Sequence, residues 1–79
     1  MARLRLFGPA AEAAGTSSDS LAGSDVDEVL ALATERYGND FAAVLKSCRI
    51  WVNGDVVASG AQRVGPGDEV AVLPPVSGG

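Results

Sequence analysis

The sequence predicts an α+β fold, a mixed sheet of four or five strands wrapped around one main helix. Three observations point to it. A stretch with two-residue periodicity opens the chain at residues 3–7, and an apolar strand-like stretch lies near its end at Glu69–Leu73. One well-capped helical stretch, opening at Asp25, stands between them. Turn signals at Gly8-Pro9, Asn53-Gly54 and Gly65-Pro66-Gly67-Asp68 cut the remainder into short segments.

Taken in order, Arg3-Leu4-Arg5-Leu6-Phe7 alternates polar and apolar, which puts Leu4 and Leu6 on a core face. Gly8-Pro9 ends that strand. Residues 10–14 fit a helical turn stopped by Gly15. Residues 16–22 are polar and weakly β-prone, an edge strand folding back on the first. Asp25 is an N-cap and Glu28, three residues on, completes a capping box. Val26, Val29, Leu30, Ala33 and Tyr37 share one face of the helix, and Gly38 supplies a left-handed stop. Phe41, Val44, Leu45 and Cys48 repeat the spacing and predict a second, shorter helix. Arg49-Ile50-Trp51-Val52 is a strand, Asn53-Gly54 a hairpin turn, and residues 55–58 the return strand. In the turn at 65–68, Pro66 presets φ and Gly67 is expected to take the positive φ of a type II turn. The first and last strands are the most apolar, so they are expected to be central and parallel. This is the β-grasp, or ubiquitin-like, arrangement, spanning residues 1–73, with residues 74–79 as a flexible tail.

Size and composition bound the function. A chain of 79 residues builds one thin core and no deep cleft, so a self-contained enzyme is not expected. It has no histidine and one cysteine, which excludes a catalytic triad, a Cys/His dyad, the usual zinc sites and an internal disulfide. A cytoplasmic home is therefore expected. Six basic residues against ten acidic ones give a net charge of −4. That argues against nucleic acid and predicts steering toward basic rims on a protein partner. No apolar stretch is long enough to span a membrane, and Gly8-Pro9 interrupts the N-terminal segment too early for a signal peptide. Asp19, Asp25 and Asp27 are better explained by helix capping and solvation than by a metal.

After Leu73 the sequence reads Pro74-Pro75-Val76-Ser77-Gly78-Gly79. Two prolines cannot continue a ladder and favour an extended spacer. Ser77-Gly78-Gly79 is narrow enough to enter a slot that would reject a Cβ. Its distinctive group is the α-carboxylate of Gly79. An ionised carboxylate is a poor acyl donor, so it must be activated, most simply as an acyl adenylate. The glycines at 65 and 67 lack the lysine and the strand–loop–helix context of a phosphate loop, which assigns activation to a second protein.

Residues 68–79, with their Pro-Pro-Val-Ser-Gly-Gly ending, resemble the end of the MoaD family, the small subunits of molybdopterin synthase. Arg49-Ile50-Trp51-Val52-Asn53-Gly54 is similar to the family's central strand and turn, and Phe7 and Gly15 match its first strand and the glycine after it. The related ThiS carriers also end in Gly-Gly, usually without the prolines. The resemblance implies a sulfur carrier that is not catalytic alone. A MoeB/ThiF-like adenylyltransferase would convert Gly79 to glycyl-adenylate with ATP and magnesium, neither being bound by this chain. A sulfur donor protein would turn it into a thiocarboxylate. A MoaE-like large subunit would pass the sulfur to cyclic pyranopterin monophosphate. Ser77 and Gly78 would give access, and Phe7, Leu73, Pro74, Pro75 and Val76 would bind the partners, which share one face because both receive the same tail. Family members often carry an arginine before the glutamate of the first connection. Here the segment is Pro9-Ala10-Ala11-Glu12, without that basic contact.

Alternatives stand beside this reading: a carrier for thiamine or cysteine synthesis, a ubiquitin-like protein modifier, or an inert interaction module. Cys48 reads as core packing ahead of a redox role. Trp51 faces away from Ile50 and Val52, so it is either covered by a loop or helix or part of a docking patch.

Overall fold

A computed structural model of the chain describes residues 1–57 and 59–75. Strand β1 (Ala2–Leu6) leads through helix α1 (Pro9–Ala14) to β2 (Ser18–Leu21). Helices α2 (Val26–Tyr37) and α3 (Asn39–Leu45) come next, then β3 (Arg49–Val52), β4 (Asp55–Val56) and β5 (Glu69–Leu73). The five strands form one sheet in the order β2-β1-β5-β3-β4. β1 and β5 run parallel, with Arg3 opposite Glu69 and Leu6 opposite Val72, and every other pairing is antiparallel. The β-grasp architecture is therefore present, with the first and last strands paired at its centre.

Alternation decides the two faces. Ala2, Leu4 and Leu6 of β1 point inward with Val70 and Val72 of β5 and Val52 of β3. They meet Ala10 of α1, Val26, Val29 and Ala33 of α2, and Phe41 of α3 in one core. Each fully buried Val, Leu or Phe side chain contributes about 1.5–3 kcal/mol relative to an exposed one. All three helices therefore lie on that face, and the other face of the sheet is left open.

The N-terminus of α2 accounts for its free amides. The Asp25 carboxylate accepts from the Glu28 N–H at 2.8 Å. The Val26 and Asp27 amides donate to the carbonyls of Gln62 and Gly60 at 3.0 and 2.9 Å. The second arm of the predicted capping box reaches one residue further back than expected. Glu28 Oε1 accepts from the Ser24 N–H at 2.9 Å, and Val64 donates to the Ser24 carbonyl. This entry is tightly packed: a Cβ on Gly23 would lie 2.7 Å from Val29 Cγ2, and one on Gly60 would run into the Asp27 carboxylate.

Several local expectations are corrected. Phe7 lies beyond β1, which ends at Leu6. Gly38, at φ 97° and ψ −168°, stops α2 with a positive φ that favours glycine but with a ψ outside the αL well, and the chain enters α3 at once. Cys48 lies past the end of α3, its thiol donating to the Val44 carbonyl at 3.3 Å while burial pushes its pKa up. Gly67 does not take a positive φ. The turn closes through Asp68 N–H to the Gly65 carbonyl, and the Asp68 carboxylate accepts from the Gly65 N–H at 2.8 Å. Pro at the second position suits a type I turn as well as a type II, and the Asp68 clamp makes the left-handed glycine unnecessary. β4 is assigned to Asp55–Val56, and Ala58, where the predicted strand ended, is outside the described residues. The Asn53-Gly54 turn is as expected, with φ 51° and 87°.

At the opposite edge, β2 occupies its own outward backbone groups. Leu4 and Asp19 face each other across the ladder, and Ser18 and Ser20 turn outward. Thr16 Oγ1 donates to the Ser18 carbonyl at 3.0 Å, and Asp19 Oδ1 accepts from the Ser20 N–H at 2.8 Å. The other carboxylate oxygen of Asp19 accepts from the Tyr37 hydroxyl and from Arg36 Nη1, tying β2 to the end of α2. Those two hydrogen bonds, Tyr37 first, hold the Asp19 carboxyl below the usual carboxylate range. Burial first, and the bond to Asp19 second, push Tyr37 up to about 12. The folded state thus holds the Tyr37 proton more tightly than the unfolded chain, whose tyrosine titrates near pH ~10. That stabilisation is complete below pH ~10 and is lost as pH rises toward about 12. Melting temperatures of the parent and Tyr37→Phe should differ at pH 8 and converge at the alkaline end, with other titrating groups cancelling in the difference. Curves that stay parallel would show that the hydroxyl does not tie the two elements.

Candidate functional site

Because β1 and β5 are parallel, their ends emerge side by side at one margin of the sheet. Phe7 comes directly after β1 and donates its N–H to the Val72 carbonyl at 3.1 Å. Leu73 closes β5 opposite Arg49 of β3 and is half-buried. Pro74 and Pro75 come next and are exposed. Gly8, at φ 56°, turns the chain away beneath the Pro74 ring, where a Cβ would lie 3.5 Å from Pro74 Cγ. Phe7, Leu73, Pro74 and Pro75 are thus brought to one end of the central strands. Val76, Ser77, Gly78 and Gly79 lie outside the described residues.

Phe7 is 40 % exposed, and its ring sits 5.7 Å from the Arg5 guanidinium carbon, on the open face of the sheet. The register lays out the rest of that face. Arg5, Ala71, Trp51 and Val56 stand in one row, and Leu73 beside Arg49 in the next. Arg3 beside Glu69 forms a third. Val56 is 66 % exposed. Trp51 is half-buried among these neighbours, and its Nε1, shielded from solvent, finds no acceptor among the described residues. It thus lies on the face opposite the helices, with its indole nitrogen already closed off from solvent. Arg5 approaches Glu69 at 3.8 Å, an exposed pair that contributes little to stability.

The net charge of −4 is unevenly spread, for the face beside the departing chain carries Arg3, Arg5 and Arg49. The acidic excess is elsewhere: Asp27, Glu28 and Glu35 on α2, Glu12 on α1 and Asp40 on α3. The signal was available in the sequence, since the alternation that buries Leu4 and Leu6 puts Arg3 and Arg5 opposite them.

Asp19 and Asp25 are both committed to hydrogen bonds, Asp19 with Tyr37 and Asp25 with the Glu28 amide. Among the described residues, no three Asp, Glu or Cys side chains gather as a metal site, and no helix is long and apolar enough to cross a membrane.

The ThiS family profile matches residues 4–79. The chain is 42 % identical over 55 residues to a molybdopterin synthase sulfur carrier subunit of Pyrenophora tritici-repentis, a match covering 65 % of this chain and 59 % of that protein. It is also similar to the solution structure of small archaeal modifier protein 1 from Methanosarcina acetivorans, at 30 % identity and a TM-score of 0.84, over 99 % of this chain and 95 % of that one. A third likeness is to the complex of subunits 1 and 2 of molybdopterin-converting factor from Helicobacter pylori, at 26 % identity and a TM-score of 0.75, over 99 % and 97 % of the two chains.

Proposed function

The chain belongs to the ThiS family, sulfur carriers of the MoaD/ThiS type, and we propose that it serves molybdopterin biosynthesis through the α-carboxylate of Gly79. In this reading a MoeB/ThiF-like adenylyltransferase uses ATP and magnesium. The Gly79 carboxylate attacks the α-phosphorus and pyrophosphate leaves. A sulfur nucleophile at the level of hydrosulfide, delivered by a sulfur donor protein, then attacks the acyl carbon and expels AMP. The resulting thiocarboxylate enters a MoaE-like large subunit and gives up its sulfur to cyclic pyranopterin monophosphate. Water attacks the acyl carbon as its bond to the transferred sulfur breaks, so a carboxylate remains, ready for another round.

The observation that carries this reading is the exit of the chain. β5 holds the centre of the sheet, ends beside Phe7, and passes straight into Pro74-Pro75, while the family match continues through Gly79. A strand anchored on both sides is a rigid base, and two prolines set the reach of the chain beyond it. Within this reading, Phe7, Leu73, Pro74, Pro75 and Val76 contact the partners, and Ser77 and Gly78 pass through a narrow channel.

The test is intact-mass analysis after incubation with ATP, magnesium, sulfide and an adenylyltransferase from the same genome. Exchange of one carboxylate oxygen for sulfur adds about 16 Da, and fragmentation must place it on Gly79. Alkylation must then block it, which separates it from oxidation. Retention of the unmodified mass while the enzyme consumes ATP would overturn the proposal.

A second reading is favoured by the likeness to an archaeal modifier protein. The same activated Gly79 would then be joined to lysine amines of other proteins. Peptide mapping for a glycine-lysine isopeptide in cells of the source organism separates the two.

A further inference from the structure

We propose that Asn53 is a modification site: a carboxamide that the folded chain shields from deamidation and that, once converted to aspartate in an unfolded chain, no longer fits its place. The inference stands independently of the carrier reading.

Asparagine before glycine is especially open to this reaction, because the attacking main-chain nitrogen belongs to a residue without a side chain. The chain has two asparagines, of which Asn39 precedes Asp40 and Asn53 precedes Gly54. Asn53 and Gly54 are both exposed at the tip of the β3–β4 hairpin, and a Cβ on Gly54 would meet nothing within 4 Å among the described residues. Water and hydroxide therefore reach the site. Hydroxide takes the Gly54 amide proton, and the nitrogen attacks Asn53 Cγ. The Cγ–Nδ2 bond breaks, ammonia leaves with a proton from water, and a five-membered succinimide is formed. Water then opens one of the two ring carbonyl–nitrogen bonds, giving aspartate or isoaspartate. Nothing is oxidised or reduced.

The hydrogen bonds of the folded chain oppose the first step. Asn53 Nδ2 donates to Asp68 Oδ1 at 2.9 Å, and Asn53 Oδ1 accepts from the Glu69 N–H at 2.9 Å. The Asn53 N–H donates to the Glu69 carbonyl at the same distance. The carboxamide is thus held at both of its ends toward the start of β5, and it must give up both bonds to present Cγ to the Gly54 nitrogen. Its anchor is fixed in turn, since the Asp68 carboxylate accepts from the Gly65 N–H at 2.8 Å. The same contacts make the product a misfit. The bonds from Asn53 and from Gly65 hold the Asp68 carboxyl below the usual carboxylate range, so it is ionised at neutral pH. An aspartate at position 53 sets a second carboxylate against it and takes away the donor. Isoaspartate also lengthens the main chain inside a two-residue turn with φ 51° and 87°. β5 begins at Glu69, so the loosened point is the start of the central strand. A chain left unfolded is thereby marked irreversibly, and it refolds to a weaker domain.

In the experiment the full chain is held at pH 8, below its melting temperature, in buffer and in urea concentrated enough to unfold it. Peptide mapping follows the gain of about 1 Da at Asn53. The expected rate is at least tenfold slower in buffer than in urea, with Asn39 slow in both. Asp68→Ala removes one anchor and should react at least threefold faster than the parent in buffer. Val29→Ala, which opens a gap in the core and keeps both bonds, should stay within about twofold of the parent at a temperature where circular dichroism shows each variant folded. Equal parent rates in buffer and urea overturn the proposal, as does an Asp68→Ala rate no higher than that of Val29→Ala. Asn53→Asp should melt at least about 5 °C below the parent. Combining Asn53→Asp with Asp68→Asn exchanges donor and acceptor and should recover at least half of that loss. An Asn53→Asp protein that melts with the parent, or a double variant that recovers nothing, overturns the proposed misfit.

Discussion

Deleting Gly79 should cut sulfur transfer by at least about a hundredfold and leave the melting temperature within about 1 °C of the parent. The deletion keeps a glycine carboxylate at the terminus, so chemical identity is preserved and only reach is lost. One extended residue spans about 3.3–3.6 Å. Misplacing a reacting group by about 1 Å is enough to cost roughly a hundredfold in rate. A carboxylate held back by more than three times that distance falls short of the α-phosphorus in one enzyme and of the pterin in the other. Among the described residues the buried core runs from Ala2 to Val72 and β5 ends at Leu73, so the melting temperature is expected to depend little on residue 79. The assays are adenylate formation, thiocarboxylate formation and pterin conversion, each beside a thermal melt. A deletion variant that still sustained pterin conversion at the parent rate would remove Gly79 from the mechanism.

Phe41→Ala should have the largest effect on stability, a loss of about 3–5 kcal/mol. Phe41 is the largest of the fully buried side chains, and its ring meets Tyr37 edge-on at 5.2 Å and 63°. It is the one buried residue of α3 and therefore what fastens that short helix to the core. A domain of this length has roughly 4–12 kcal/mol in total, so the variant loses about a quarter or more of it. Urea titration should show a lower midpoint with an unchanged slope. Phe7→Ala, on an exposed ring, should move the midpoint little. A loss below about 1 kcal/mol for Phe41→Ala would mean that α3 is held by other contacts.

The fold was legible where the determining interactions are short in sequence. Alternation in β1, the Asp25 cap, the Asn53-Gly54 hairpin and the stop at Gly15 each depend on neighbours within a few residues, and each appears where it was expected. The misses have a common physical origin in partners that sequence spacing does not announce. Gly67 was released from a positive φ by the Asp68 carboxylate closing on Gly65. Glu28 found Ser24 because the segment around Gln62 and Val64 runs alongside the start of α2. Of the site, the margin formed by Phe7, Leu73 and the prolines was readable once β1 and β5 were taken as parallel. The charge of the open face was not, because a net charge is a sum over the whole surface. Only the register of β1, β5 and β3 shows that Arg3, Arg5 and Arg49 gather on one side.

The parallel pairing of β1 with β5 also sets a timetable. Arg3 and Glu69 are partners across the centre of the sheet, so β1 must wait for 66 further residues to be made before its neighbour exists. At about 5–20 residues per second of synthesis that interval is roughly 3–13 s. During it Leu4 and Leu6 lack Val70 and Val72, and both β1 and β3 have a bare edge where β5 will insert. The nascent chain is then a natural client for chaperones and, if synthesis stalls, for proteolysis. Its last strand is both the keystone of the sheet and the lead-in to Pro74-Pro75. A ribosome that stops short of that strand releases a chain that cannot close its sheet, and so cannot offer partners a finished face without the strand that carries the tail.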